Sequence, residues 1–266
     1  MRKLIASVVL VAAVWLVVRH ARTPHISPEA LLGLWAQADG KTPSAPLRFY
    51  YFHTGGKGLY RYGQVGYNQT HSFDWSIDGS ELRLVFRKTG EKAATKVELS
   101  GNAKARTLTM LTDPRGDGVG RYVERKSNLD EGPLVLGSDS SPASDDPRAV
   151  EGRLWMDYTR YATGGSGFVM YQLSKHACVS ELVADSESSS WRLGWYHRGD
   201  FDDWSTENLC YRADAGTLQL QFPVRGDRAQ STIGWSQDKG KRVLTLDHDP
   251  RNFFHRTRLV DSGPSF

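Results

Sequence analysis

Few residues in this chain are arranged for bond-making chemistry. The sequence has no G-x-S-x-G elbow, no Walker loop and no H-E-x-x-H pair, the spacings that would set up a Ser nucleophile, a phosphate cradle or two zinc ligands. Asp247-His248-Asp249 with His255 has the residue types of a metal site. However, successive strand residues point to opposite faces, and Asp249 belongs to a turn. No catalytic residue, metal ligand or cofactor is therefore assigned. Gly55-Gly56 and Gly164-Gly165 are read as hairpin turns, because no helix follows whose N-terminus could hold a phosphate. Cys178 and Cys210 are either a disulfide or two separate buried thiols. The densest aromatic and charged run extends from Trp191 to Trp204 and contains Trp195, Tyr196, Arg198 and Phe201. Exposed aromatics beside Arg are the anchor types of protein interfaces, so these six are the candidate binding residues. The same run could line a pocket mouth, or form an extra hairpin whose tryptophans pack on the fold.

The elements that carry these residues repeat. At an offset of 136, Leu82, Leu84, Phe86, Gly90, Val97, Leu108, Met110 and Asp113-Pro114-Arg115 fall on Leu218, Leu220, Phe222, Gly226, Ile233, Leu244, Leu246 and Asp249-Pro250-Arg251. At an offset of 109, Thr54-Gly55-Gly56-Lys57-Gly58 falls on Thr163-Gly164-Gly165-Ser166-Gly167 and Tyr62 on Tyr171; Leu34-Trp35 pairs with Leu154-Trp155. The matched apolar positions alternate with mainly polar ones, the period of half-buried strands. Asp-Pro-Arg then ends a strand in each copy, with Pro presetting φ and Asp accepting backbone N–H bonds. The change of offset places an insertion at 172–208 in the second copy, enclosing the aromatic run.

With 266 residues, 26 Gly and few helical periodicities, the chain reads as all-β. The formal charge of +4 owes much to Arg2, Lys3, Arg19 and Arg22, which flank an uncharged stretch from Leu4 to Val18. The remainder is close to neutral, which excludes a nucleic-acid-binding surface. Residues 4–18 read as an export signal or a membrane anchor. The absence of a small-x-small cleavage site favours the anchor, with Arg19 and Arg22 snorkelling to the interface. Residues 127–147, rich in Ser, Asp and Pro and lacking Lys and Arg, form a linker.

Each unit opens with a Trp behind a Gly, Gly33-Leu34-Trp35 and Gly152-Arg153-Leu154-Trp155, followed by an aromatic strand, a Gly turn and alternating strands. This order resembles the lipocalin-like domains of bacterial envelope proteins. The resemblance implies, for each copy, an up-and-down antiparallel barrel of about eight strands. Trp35, Trp75, Trp155 and Trp235 are read as core residues. The expected organisation is a membrane segment at 1–26, a first lipocalin-like domain at 27–126, the linker, and a second domain at 148–266. The expected function is non-enzymatic. The chain would be held by one pass in a bacterial inner membrane with both barrels in the periplasm, binding an envelope protein as an accessory or stabilising subunit of a membrane complex. The alternative is a carrier of a small hydrophobic ligand in one barrel.

Overall fold

A computed structural model describes residues 25–37, 44–102, 105–125, 150–162, 164–178, 190–214, 216–252 and 256–264. The expected membrane segment and the linker lie outside these residues. Among those described, no helix is long and apolar enough to cross a membrane. The described chain is all-β. In the first half the strands are β1 (Gly33–Ala36), β2 (Pro46–His53), β3 (Lys57–Gln64), β4 (Tyr67–Asp78), β5 (Glu81–Phe86), β6 (Lys92–Asn102), β7 (Ala105–Met110) and β8 (Gly120–Arg125). In the second they are β9 (Arg153–Arg160), β10 (Ser166–Ala177), β11 (Arg192–Asp200), β12 (Asp203–Asp214), β13 (Thr217–Phe222), β14 (Asp227–Asp238), β15 (Lys241–Leu246) and β16 (Thr257–Pro264). β1 to β8 pair antiparallel in chain order, and β8 returns to β1 to close an eight-stranded barrel. β9 to β16 have the same cyclic order of neighbours, with β16 returning to β9.

The alternation in the sequence accounts for the interior. Leu82, Leu84 and Phe86 on β5 are buried, as are Leu218, Leu220 and Phe222 on β13. The first cluster adds Trp35, Tyr50, Phe52, Tyr60, Phe73, Trp75 and Tyr122 to these, so large aromatics supply most of its packing. At one end the Trp35 indole N–H donates to the Leu31 carbonyl at 2.7 Å, beneath the Arg106 guanidinium. Trp155 repeats this with the Val150 carbonyl at 3.0 Å, beneath Arg242. At the other end the Tyr50 hydroxyl donates to Asp113 at 2.8 Å and that of Tyr171 to Asp249 at 2.6 Å. Each carboxylate also accepts the backbone N–H two residues on, as the turn reading expects. Arg115 and Arg251 then lie over Phe86 and Phe222, 3.8 and 3.9 Å from the ring centres.

These pairings correct the repeat alignment. Tyr50 corresponds to Tyr171, an offset of 121, and Tyr60 to Tyr196, already at 136. Gly55-Gly56 turns between β2 and β3, whereas Gly164-Gly165 turns between β9 and β10, so the offset of 109 joined two different hairpins. A Gly-rich turn is dictated by local backbone needs and recurs wherever a hairpin is tight, which makes it a poor marker of register. The insertion at 172–208 shrinks accordingly. Most of that span is β10, β11 and β12, regular strands with counterparts in the first half, and the added length lies in the β10–β11 connection.

The two halves share one hydrogen-bonded sheet. β4 pairs with β5 only over 73–78, and β12 with β13 only over 210–214, so each long strand leaves part of an edge open. Those edges pair antiparallel: Tyr67↔Glu207, Asn68↔Thr206, Gln69↔Ser205, Thr70↔Trp204 and His71↔Asp203. Gln69 and Ser205 are equivalent positions of the repeat, so a pseudo-two-fold axis passes between them. The flanking bonds Ser72 N–H to Asp202 C=O, 3.0 Å, and Asn208 N–H to Gly66 C=O, 2.8 Å, are mates under the same axis. This is the self-complementary geometry of a symmetric dimer, built within one chain. It also removes two exposed strand edges. The side chains break the symmetry. Lys88 pairs with Asp200, Arg87 with Asp202 at 3.4 Å, and Gln69 with Asp203, while the mate side carries Arg225 over Tyr67.

Candidate functional site

The six candidate residues divide by exposure. Trp191 is buried against the Cys178–Cys210 disulfide and Leu193, with Arg212 over its ring. The disulfide is thus formed, its Cα atoms 5.7 Å apart, and it ties the start of the β10–β11 connection to β12. Tyr196 points into the second interior, 5.0 Å from the Tyr171 ring. Trp195 is buried on the outer face of β11, and Trp204 is half-buried in the ladder opposite Thr70. Trp191, Trp195 and Tyr196 are therefore not the exposed anchors expected. Strand alternation turns Tyr196 into the interior, Trp195 is covered on the outer face of β11, and Trp191, just before β11, is covered by the disulfide and Leu193. Arg198 and Phe201 are exposed.

Phe201 is the centre of an aromatic patch that the sequence scattered over three elements. It stands at the tip of the β11–β12 turn, 58% exposed. Its ring centre lies 5.8 Å from Tyr158 on β9 and 5.4 Å from Phe168 on β10. Phe168 is directly opposite Tyr158 in the β9–β10 ladder. Tyr158 is 46% exposed; Tyr161, 54% exposed, lies on the opposite face of the ladder, its hydroxyl over Gly167.

The turn that presents Phe201 is tied down on every side. The Asp200 carboxylate accepts the N–H groups of Asp202 and Asp203, each at 2.9 Å, and pairs with Lys88 of the first half. Burial raises the Asp200 pKa, but the Lys88 and backbone hydrogen bonds outweigh it and hold the carboxyl below its usual range. Asp202 accepts the Ser72 hydroxyl at 2.7 Å. Gly199, at φ 153°, precedes the turn where β11 crosses close to β12, and a Cβ there would meet the Asp203 carbonyl at 2.2 Å. Phe201 is thus an exposed apolar ring on a stiff support.

Polar groups cluster on the outer faces of β3, β4, β11 and β12. The Arg61 Nε donates to the Thr70 hydroxyl at 2.7 Å, and by symmetry His197 Nδ1 lies 2.9 Å from the Thr206 hydroxyl. Arg61 also lies over Phe49. Burial lowers the Arg61 pKa to about 10. Burial first, and the nearby Arg61 cation second, lower that of His197 to about 3. His197 Nε2 has no hydrogen-bond partner among the described residues. These groups are buried and give no access to a substrate. Nor does Asp249, whose carboxylate accepts the Tyr171 and Thr257 hydroxyls; His255 lies outside the described residues.

The sequence reading found Phe201 but not its neighbours. Tyr158 was legible only as an aromatic near a Gly turn, and nothing local marks it as sharing a face with residue 201. No protein family, no curated protein and no solved structure matches this chain.

Proposed function

We propose that this chain is a non-enzymatic protein-binding module, two tandem lipocalin-like barrels tethered to a bacterial inner membrane, acting in the periplasm as an accessory or stabilising subunit of a membrane protein complex. The observation that carries the binding role is the patch of Tyr158 and Phe201, exposed beside the buried Phe168 ring on a turn fixed by three carboxylates. Rigid exposed aromatics add contact area at low entropic cost, the usual make-up of an interface centre. The interiors support the same reading. Positions that would line a ligand cavity carry Tyr50, Phe52, Tyr60 and Phe73 in one half and Tyr171, Tyr196 and Phe222 in the other, packed on one another. The test is cross-linking and co-purification of the full chain from solubilised membranes. Phe201→Ser and Tyr158→Ser should lose a partner that the wild type retains while melting at the wild-type temperature. Unchanged co-purification with both variants would sink the reading.

A further inference from the structure

The pseudo-symmetry shows what an occupant of the aromatic patch looks like, because the first half contains the same patch already covered. At register-equivalent positions, Ala36, Leu47, Phe49 and Val65 correspond to Met156, Phe168, Met170 and Phe201. The equivalence rests on the ladders: Ala36↔Phe49 matches Met156↔Met170, and Leu47↔Gly63 matches Phe168↔Gly199. Val65 and Phe201 stand at the tips of the corresponding turns, yet Val65 is 1% exposed and Phe201 58%.

The chain's own β1–β2 connection contributes to that cover. Ala45 packs on the cluster of Ala36, Leu47, Phe49 and Val65, and its carbonyl accepts the Val65 N–H at 3.0 Å. The second half differs here: beyond Met156 the β9–β10 ladder continues as far as Arg160↔Ser166, which sets the Tyr158 ring beside Phe201 in place of a loop carbonyl. No acceptor among the described residues takes the Phe201 N–H. The side chains have changed in the direction of a binding surface: Leu47, Phe49 and Ala36 are replaced by Phe and two Met, which adapt to a partner's shape.

We infer that the second-half patch docks an extended segment of a partner protein, which lays a small apolar side chain on Phe201 and accepts the Phe201 N–H through a main-chain carbonyl, as Ala45 does at Val65. This deepens the proposed function and rests on it. The recognition is main-chain pairing at the tip of a strand turn combined with an apolar shelf, which selects extended chain bearing Ala- or Pro-sized side chains over a helix.

A direct probe is a fluorescein-labelled synthetic peptide with the sequence of residues 41–48, Lys-Thr-Pro-Ser-Ala-Pro-Leu-Arg, titrated with the full-length protein while polarisation is read. Saturable binding is expected, weakened on the order of tenfold or more by Phe201→Ser and by Tyr158→Ser, as for loss of an aromatic anchor. A peptide carrying Ala45→Glu should not bind. Both protein variants are surface changes, so an unaltered thermal melt separates lost docking from lost fold. Polarisation that never saturates, or binding indifferent to both substitutions, would overturn the inference. So would Phe201-dependent sedimentation with phosphatidylethanolamine–phosphatidylglycerol vesicles, since the patch would then serve a lipid surface. If the peptide fails while a membrane partner still depends on Phe201 and Tyr158, the extended-segment mode falls and the protein-binding reading stands.

Discussion

Protonation of His197 should couple the stability of this protein to pH in the near-neutral range. Its imidazole is buried between the halves, with Thr206 at Nδ1 and Arg61 nearby, and its pKa is held down to about 3. An unfolded chain releases the imidazole to water, where its pKa is about 6.5. Below that pH the unfolded state binds a proton that the folded state refuses, so stability is complete above about pH 6.5 and declines as pH falls towards 3. Each pH unit in that window costs about 1.4 kcal/mol, or about 2 kcal/mol between pH 6.5 and 5. Asp200 and Asp261, whose pKa values are lowered by hydrogen bonds from Lys88 and from Arg153 respectively against the opposing effect of burial, keep their contribution above their unfolded values near 3.9 and lose it only below that range, so they do not mask the effect. Urea unfolding at about pH 7 and about pH 5 reads the difference, with His197→Gln as the control that removes the titrating group and keeps an amide within reach of Thr206. The other histidines cancel between the two proteins. If wild type and His197→Gln lose the same stability on acidification, His197 is not the buried neutral base described here.

The buried carboxylates offer a matched pair of perturbations. Tyr171→Phe removes one charge-assisted hydrogen bond to Asp249 while leaving the ring packed, and should cost about 2 kcal/mol; Tyr50→Phe should cost as much through Asp113. Thermal or urea unfolding checks both, and losses under about 0.5 kcal/mol at either site would contradict the equivalence of the two Asp-Pro-Arg turns. Removing the disulfide as Cys178→Ala with Cys210→Ala opens a loop of 32 residues, and the chain-entropy relation gives a loss of about 3.7 kcal/mol. Trp191, which packs on the bridge, should then emit at longer wavelength; unchanged stability and emission would show that the bridge does not hold it.

Much of this protein was legible in its sequence because the relevant forces are local. Alternation at Leu82-Leu84-Phe86 and Leu218-Leu220-Phe222 follows from the two-residue period of a strand with one wet face, and it located interior positions correctly. Asp-Pro-Arg marked real turns, and Cys178 and Cys210 proved to be bonded. Where a signal depended on which strands neighbour one another, local reading failed. Two Gly turns of the same composition belong to different hairpins, so the insertion was drawn too long and the tryptophans of regular strands were taken for exposed anchors. The β4–β12 ladder left no mark, because a backbone edge carries the same N–H and C=O groups whatever its side chains. The sequence by itself determined the alternating strands and the duplication, and it left the cysteine pairing open. Only the tertiary structure decided that the halves pair about a pseudo-two-fold axis, and that Tyr158, Phe168 and Phe201 meet on one outer face, since contacts across many residues depend on register and closure rather than on any neighbouring residue.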